Sequence, residues 1–163
     1  MARGESEVRP SATLATALAG MDGQCNCTVS RMATRYLTAF YDKALAPVRL
    51  RTTQFSILRR AALLGRTTIT ALAQEIAMDR TTLAANLKPL EREGLLLVRP
   101  SATDGRARSI EITEAGLARL EQAIPLWKGA QDRFESAFGS QEAERLRTAL
   151  AAVLDTGFDP WAE

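Results

Sequence analysis

The chain reads as mainly α with a small β-hairpin wing: a winged helix-turn-helix lobe plus a second, helical lobe. Three observations carry that reading. Two short helical patterns between Thr68 and Glu93 meet at a turn around Met78 and Asp79. Two strand-like runs, Leu95 to Arg99 and Ser109 to Ile112, follow around an Asp104–Gly105 turn. Longer amphipathic patterns flank this block on both sides. Helix, turn, helix and hairpin in that order suit a unit that sets one helix in a DNA major groove with a basic hairpin beside it.

Each element has a local reason. Residues 1–20 carry early acids and few leucines, so they lack a secretory apolar core and are expected to form a flexible N-terminal arm. Residues 21–48 hold the first helix. Val29, Met32, Ala33, Tyr36, Leu37 and Phe40 recur at three- and four-residue spacing from about Cys25 to Leu45, and Pro47 ends it. Residues 49–113 form the winged lobe. Thr52 or Thr53 can cap its first helix, where Phe55, Leu58, Ala61 and Ala62 share a face before Gly65. Thr68 can cap a short helix with Leu72, Ala73 and Ile76 inward. Asp79 can cap the next by accepting from the N–H of Thr81 or Thr82. That helix runs from Arg80 to about Glu93 on a stripe of Leu83, Leu87 and Leu90, and Gly94 stops it. Pro89 inside it predicts a bend or a lost hydrogen bond.

Residues 114–163 hold two further helices. Thr113 caps the first, with Leu117, Leu120, Ile124, Trp127, Phe134 and Phe138 as its apolar face and a kink expected at Pro125. Ser140 is expected to cap the second, with Ala143, Leu146, Leu150 and Val153 inward. The first helix and these two carry more apolar surface than a small winged lobe can cover. A helix pair in that position meets a second copy, so a homodimer is expected.

Charge is segregated along the chain. Residues 49–108 hold 11 basic against 5 acidic residues, while residues 109–163 hold 5 basic against 10 acidic. A polyanion would be drawn to the middle of the chain and repelled by its end. There is no histidine, which excludes His-based triads, His general bases and His metal sites. No G-x-G-x-x-G or P-loop appears, so no cofactor is expected. No apolar run approaches the ~18 residues that span a bilayer, and a cytoplasmic protein without membrane contact is expected.

Removing the leucine stripe from the Arg80–Glu93 helix leaves Arg80, Thr81, Thr82, Ala85, Asn86 and Lys88 outward. Arg and Lys reach phosphates or guanine edges, Asn pairs bidentately with adenine, and Thr and Ala methyls meet thymine methyls. On the hairpin, Arg106 and Arg108 can enter a minor groove, with Asp104 bracing a guanidinium. Double-stranded DNA carrying a pseudo-palindromic operator is the expected partner.

Over roughly Cys25 to Leu154 the chain resembles the multiple antibiotic resistance regulator (MarR) family of winged-helix repressors. The residues that carry the resemblance are LKPLEREGLL, the wing Asp104-x-Arg106, and the exit IEITEAG, which is similar to the family's I-x-L-T-x-x-G. The resemblance implies that Arg106 reaches the minor groove, that the outer helices intertwine into a two-fold dimer, and that a small acidic or aromatic ligand binds between the lobes. Ala85 stands near a position where the family often has a strongly basic residue.

Two further groups are candidates for control. Tyr36, Phe40, Phe55, Arg59 and Trp127 can line an apolar pocket with one basic anchor, or can all belong to the core. Cys25 and Cys27 are too few for a disulfide framework. They can be small buried hydrophobes or redox-sensing thiols. MDGQCNC resembles the start of the family's peroxide-sensing branch, shifted by one, so that the family's cysteine falls at Asn26. The expected function is a dimeric, sequence-specific transcriptional regulator, a repressor released by a small molecule or an oxidant. A constitutive DNA-binding protein without effector and a thiol-based redox enzyme are the alternatives.

Overall fold

A computed structural model describes residues 8–100 and 108–158. In chain order the elements are α1 (Ala12–Gly20), α2 (Asn26–Leu45), a 3-10 turn (Ala46–Val48), α3 (Thr52–Leu64), β1 (Thr67–Thr68), α4 (Ile69–Glu75), α5 (Arg80–Arg92), β2 (Leu96–Pro100), β3 (Arg108–Ile112), α6 (Glu114–Phe138) and α7 (Ser140–Leu154). The chain divides into two compact units, residues 1–39 and 40–163, with the boundary inside α2.

In the first unit, the segment expected as a loose arm carries α1 instead. Ser11 caps it, its side chain accepting the Leu14 N–H at 3.3 Å. Its alanines and leucines are strong helix formers, which is why it winds although no residue in it is buried. α2 begins one residue later than expected. Cys25 is not a helical residue but stands immediately before Asn26, its carbonyl accepting the Val29 N–H. Val29, Met32 and Tyr36 are all exposed.

In the second unit, α3, α4 and α5 close around a core that includes Leu45, Ile57, Leu58, Leu72, Leu83, Leu90 and Ile110. Burying each such side chain contributes roughly 1.5–3 kcal/mol. α3 starts at Thr52, but neither Thr52 nor Thr53 caps it. The Asp42 carboxylate takes the Thr52 N–H at 2.6 Å, and Gln54 Oε1 takes the Arg51 N–H at 2.8 Å. Thr68 caps α4 through the Ala71 N–H, as expected.

The sheet has the order β1-β3-β2, antiparallel throughout. Leu96 faces Ile112 and Val98 faces Ile110, so the inner face of the hairpin is apolar. β1 was not anticipated. Two residues carry no periodicity, and Thr67 and Thr68 become a strand only because Ile110 and Ser109 stand opposite them.

α5 runs as one helix through Pro89 and α6 as one helix through Pro125. Of the six apolar residues expected inward on α6, Leu120 alone is buried; Gly116, Ala123 and Ala130 supply the rest of the buried face. Small residues let α6 approach closely, and the larger Leu117, Ile124, Trp127 and Phe138 are left exposed. α7 repeats the pattern, with Ala143 buried and Leu150 and Val153 exposed. Ser140 is the first residue of α7 rather than its cap; Gly139, with φ 95°, makes the corner. Arg147 fastens α7 to α6 through Glu135 at 2.8 Å.

Both helices of the helix-turn-helix end in the same left-handed closure. After α4, Ala77 has φ 50°, Met78 N–H donates to Ala73 O at 2.9 Å and Ala77 N–H to Gln74 O at 3.2 Å. After α5, Gly94 has φ 69°, Leu95 N–H donates to Leu90 O and Gly94 N–H to Glu91 O, both at 2.9 Å. This is the Schellman pattern, in which a side chain with a Cβ is strained. Ala77→Gly is therefore expected to stabilise the chain by about 0.5–1 kcal/mol, strain relief outweighing the added unfolded-state entropy. Gly94→Ala is expected to cost about 1–2 kcal/mol. Urea unfolding measures both, and a destabilised Ala77→Gly would refute the strain argument.

Candidate nucleic-acid interface

The candidate interface is built on α5. Its inner stripe, Leu83, Leu87 and Leu90, is buried against the core. At 100° per residue that burial leaves an outward arc. Thr81, Thr82, Ala85 and Lys88 are exposed on it, as expected, Arg80 is exposed at the first residue of the helix, and Asn86 is half-buried. Asn86 Nδ2 donates to the Thr82 carbonyl at 2.8 Å. One amide N–H is thus held by the helix itself, and the second N–H and Oδ1 remain for a base edge.

Asp79 fixes the start of α5. Its carboxylate accepts the Thr82 N–H at 2.8 Å. The Thr82 side chain and then its backbone N–H hold the Asp79 carboxyl below the ordinary carboxylate range. The positive end of the helix dipole also favours the charged form of the Asp79 carboxylate.

The hairpin stands beside α5, which packs on β2. Pro100 is paired with Arg108 and Arg99 with Ser109. Directly paired residues share a face, so Arg99 and Arg108 lie on opposite faces of the ribbon, both exposed. Asp104 and Arg106 lie outside the described residues. Arg99 was not singled out in the sequence, where it reads as an ordinary strand residue; its exposure and its place next to the Pro100–Arg108 pair are what make it a candidate. Arg66, by contrast, is engaged with Glu111 at 3.1 Å.

The five residues considered for a pocket are distributed. Phe55 is 5 % exposed and stacks on Trp127, centroids 6.3 Å apart. Phe40 meets Tyr41 edge-on at 5.3 Å, and the Arg133 guanidinium lies 5.5 Å from its ring centre. Arg59 is exposed on α3. Tyr36 belongs to the first unit and is 76 % exposed. A polar chain beside Phe40 was missed: Tyr41 Oη donates to Gln131 Oε1, and Gln131 Nε2 donates to Glu135 at 2.8 Å. The spacing of Trp127, Gln131 and Glu135, four residues apart on α6, was the available signal.

Cys25 and Cys27 are free and exposed, so neither is a buried hydrophobe. Thr28, through its side chain and then its backbone N–H, holds the Cys25 thiol below its usual pKa. Among the described residues no group of three or more His, Cys, Asp or Glu side chains could hold a metal ion, and no helix is long and apolar enough to cross a membrane.

The cap makes a pH prediction. A carboxyl whose folded pKa is depressed contributes stability above the unfolded value of about 3.9, and that contribution is lost as pH falls through the folded pKa. Wild-type stability should therefore drop more steeply below about pH 4 than that of Asp79→Asn, which keeps an uncharged cap. Parallel curves in acid unfolding would mean that the Asp79 charge contributes nothing.

A family model described as the MarR family matches residues 50–107. The M. tuberculosis transcriptional regulator MosR, solved in complex with DNA, is 38 % identical, with TM-score 0.66 over 79 % of this chain and 98 % of that one. MarR from E. coli, a point variant complexed with operator DNA, has TM-score 0.70 at 21 % identity over 78 % of this chain and 91 % of that one. CouR from Rhodococcus jostii RHA1, bound to p-coumaroyl-CoA, has TM-score 0.67 at 21 % identity over 81 % and 92 %. No curated protein matches the chain with significance. With a helix-turn-helix held on a leucine stripe, a paired β-ribbon beside it and these likenesses, the chain belongs to the MarR family of DNA-binding transcriptional regulators.

Proposed function

We propose that the chain acts as a homodimeric repressor that binds a pseudo-palindromic operator, and that an effector releases it. The outward arc of α5 is the observation that carries the DNA-binding part. Arg80, Thr81, Thr82, Ala85, Asn86 and Lys88 enter the major groove, and Arg106 and Arg108 of the wing meet the adjacent minor groove, with Asp104 bracing a guanidinium. The exposed apolar side chains of α6 and α7 favour a second copy. Leu117, Ile124, Trp127, Phe138, Leu150 and Val153 are too many large apolar groups to leave in water on two adjoining helices. A dimer sets two α5 helices about one DNA turn apart, roughly 10 bp centre to centre.

Two effector classes remain. CouR is bound to p-coumaroyl-CoA, and an aromatic or acidic small molecule near Phe40, Phe55, Arg59 and Trp127 is one. The second is an oxidant. It is favoured by the exposure of Cys25 and its lowered thiol pKa, since the thiolate is the form that peroxide attacks. Either must favour the DNA-incompetent arrangement, and a tenfold loss of affinity needs about 1.4 kcal/mol of preference.

Selection of bound fragments from the source genome would yield the operator. On it, Lys88→Ala is expected to weaken binding and flatten the salt dependence by about one counterion. Asn86→Ala is expected to cost about 1–3 kcal/mol and to relax preference at one position; equal loss on every sequence would make Asn86 a phosphate contact. Removing residues 140–163 is expected to give a monomer or an aggregate, and a soluble truncated dimer of full affinity would refute the dimer reading.

Peroxide is expected to release wild type from the operator and to leave Cys25→Ser, Cys27→Ser bound. If neither protein responds, the thiols are not the trigger and the small-molecule class stands. If a panel of aromatic acids also leaves affinity unchanged, the protein is a constitutive binder. Turnover of peroxide with a thiol donor would instead indicate a redox enzyme.

A further inference from the structure

The outward arc of α5 is useful only if α5 is held at a fixed position relative to the long helix α6. The end of α5 and the first turn of α6 are joined at several points within a few residues. Thr113 Oγ1 caps α6 by accepting the Gly116 N–H at 3.0 Å, and the same hydroxyl donates to Gly94 O at 2.7 Å. Thr113 N–H donates to Leu95 O at 3.2 Å. One residue thus caps α6 and accounts for two carbonyls at the exit of α5.

Gly116 lies against the same carbonyl. A Cβ built there would collide with Leu95 O and stand 2.7 Å from Ile112 Cγ1. Its backbone is helical, so the glycine answers a need for space and not for left-handed freedom. α6 can sit this close to the α5 exit only because no side chain intervenes.

One turn further on, Arg119 reaches two elements at once. Its Nη1 donates to Val48 O at 3.0 Å, at the end of the 3-10 turn that leads into α3. The same nitrogen lies 3.6 Å from a carboxylate oxygen of Glu93, the residue that ends α5. The Arg119 side chain is 26 % exposed. A planar fork of donors can serve a carbonyl and a carboxylate together, whereas an ammonium on a flexible stem serves them less well. A cation there also complements the C-terminal end of the α5 dipole.

We propose that Thr113, Gly116 and Arg119 form a rigid joint that sets the register of α5 against α6, and that Arg119 is a positioning residue for operator recognition. The proposal rests on the reading of α5 as the recognition helix. Base contacts tolerate misplacement of only about 0.5 Å, so a joint of this kind acts on specificity before it acts on stability. The Arg119–Glu93 pair by itself, long and partly exposed, adds little to folding. The joint also transmits. α6 carries the exposed apolar stripe, so any displacement of α6 at a subunit interface must carry the end of α5 with it.

The test uses the full chain and its genome-selected operator. Dissociation constants are measured for the operator and for an unrelated duplex of equal length, at one salt concentration and at a temperature where circular dichroism reports every variant folded. Arg119→Ala is expected to lose about tenfold in operator affinity, equivalent to about 1.4 kcal/mol. Its affinity for the unrelated duplex and its oligomeric state should stay as in wild type. Arg119→Lys should restore part of the loss, and combining Arg119→Ala with Glu93→Gln should cost no more than Arg119→Ala alone. Gly116→Ala should weaken operator binding in the same selective way; should it fail to fold, Arg119→Ala decides. Unchanged operator affinity in Arg119→Ala, or equal loss on both duplexes, overturns the proposal. Arg80→Ala with Lys88→Ala separates the two readings. If that pair loses operator affinity and Arg119→Ala does not, the joint alone is wrong. If that pair binds like wild type, α5 is not the recognition helix and the joint falls with it.

Discussion

Burial of Leu83, Leu87 and Leu90 is the constraint on which the helix-turn-helix lobe depends. A helix has one circumference, and three leucines at four- and three-residue spacing commit one side of α5 to the core. What faces outward is then decided by subtraction, and the arc that remains is polar and basic. The ends are held as firmly as the side. Asp79 satisfies an N–H at the start, and the closure at Gly94 satisfies carbonyls at the finish. A helix held along one face and at both ends can present side chains to a partner without first being ordered, which lowers the entropic cost of binding.

The lobe is joined to α6 by contacts that depend on the absence of side-chain bulk. Gly116 at Leu95, and Ala123 and Ala130 further along, let backbones approach. Of the large residues of α6, Leu120 is buried, while Leu117, Ile124, Trp127 and Phe138 stay exposed among the described residues. The two faces of α6 are therefore different in kind. One is a close intramolecular seam of small residues, the other an open stripe of large ones continued on α7. A single copy of the chain leaves Leu117, Ile124, Trp127 and Phe138 exposed to water, which costs free energy.

The thiols show how local context changes a residue's chemistry. On a regular helix Cys25 and Cys27 would be two residues of one element. In the structure Cys25 precedes the helix and receives hydrogen bonds from Thr28, while Cys27 lies in the first turn. The hydrogen bonds favour the anionic form of Cys25, and exposure leaves it open to reagents. No cysteine count distinguishes these two sulfur atoms.

The sequence by itself determined whatever depends on near neighbours. The period of Leu83, Leu87 and Leu90, the caps at Thr68, Asp79 and Thr113, and the glycine stops at Gly65 and Gly94 are all set within a few residues, so they were legible without a fold. The arc of α5 followed from the same periodicity. The tertiary structure decided whatever depends on residues far apart in the chain. β1 exists because β3 lies beside it. Asp42 caps α3 because α2 ends next to it. Arg119 reaches Val48 and Glu93 across elements that share no local pattern. The burial of α6 was misread for the same reason. Hydrophobicity points to the large residues as the inner face, but the inner face also depends on how closely two backbones approach, and beside Leu120 the buried positions of α6 are the small Gly116, Ala123 and Ala130.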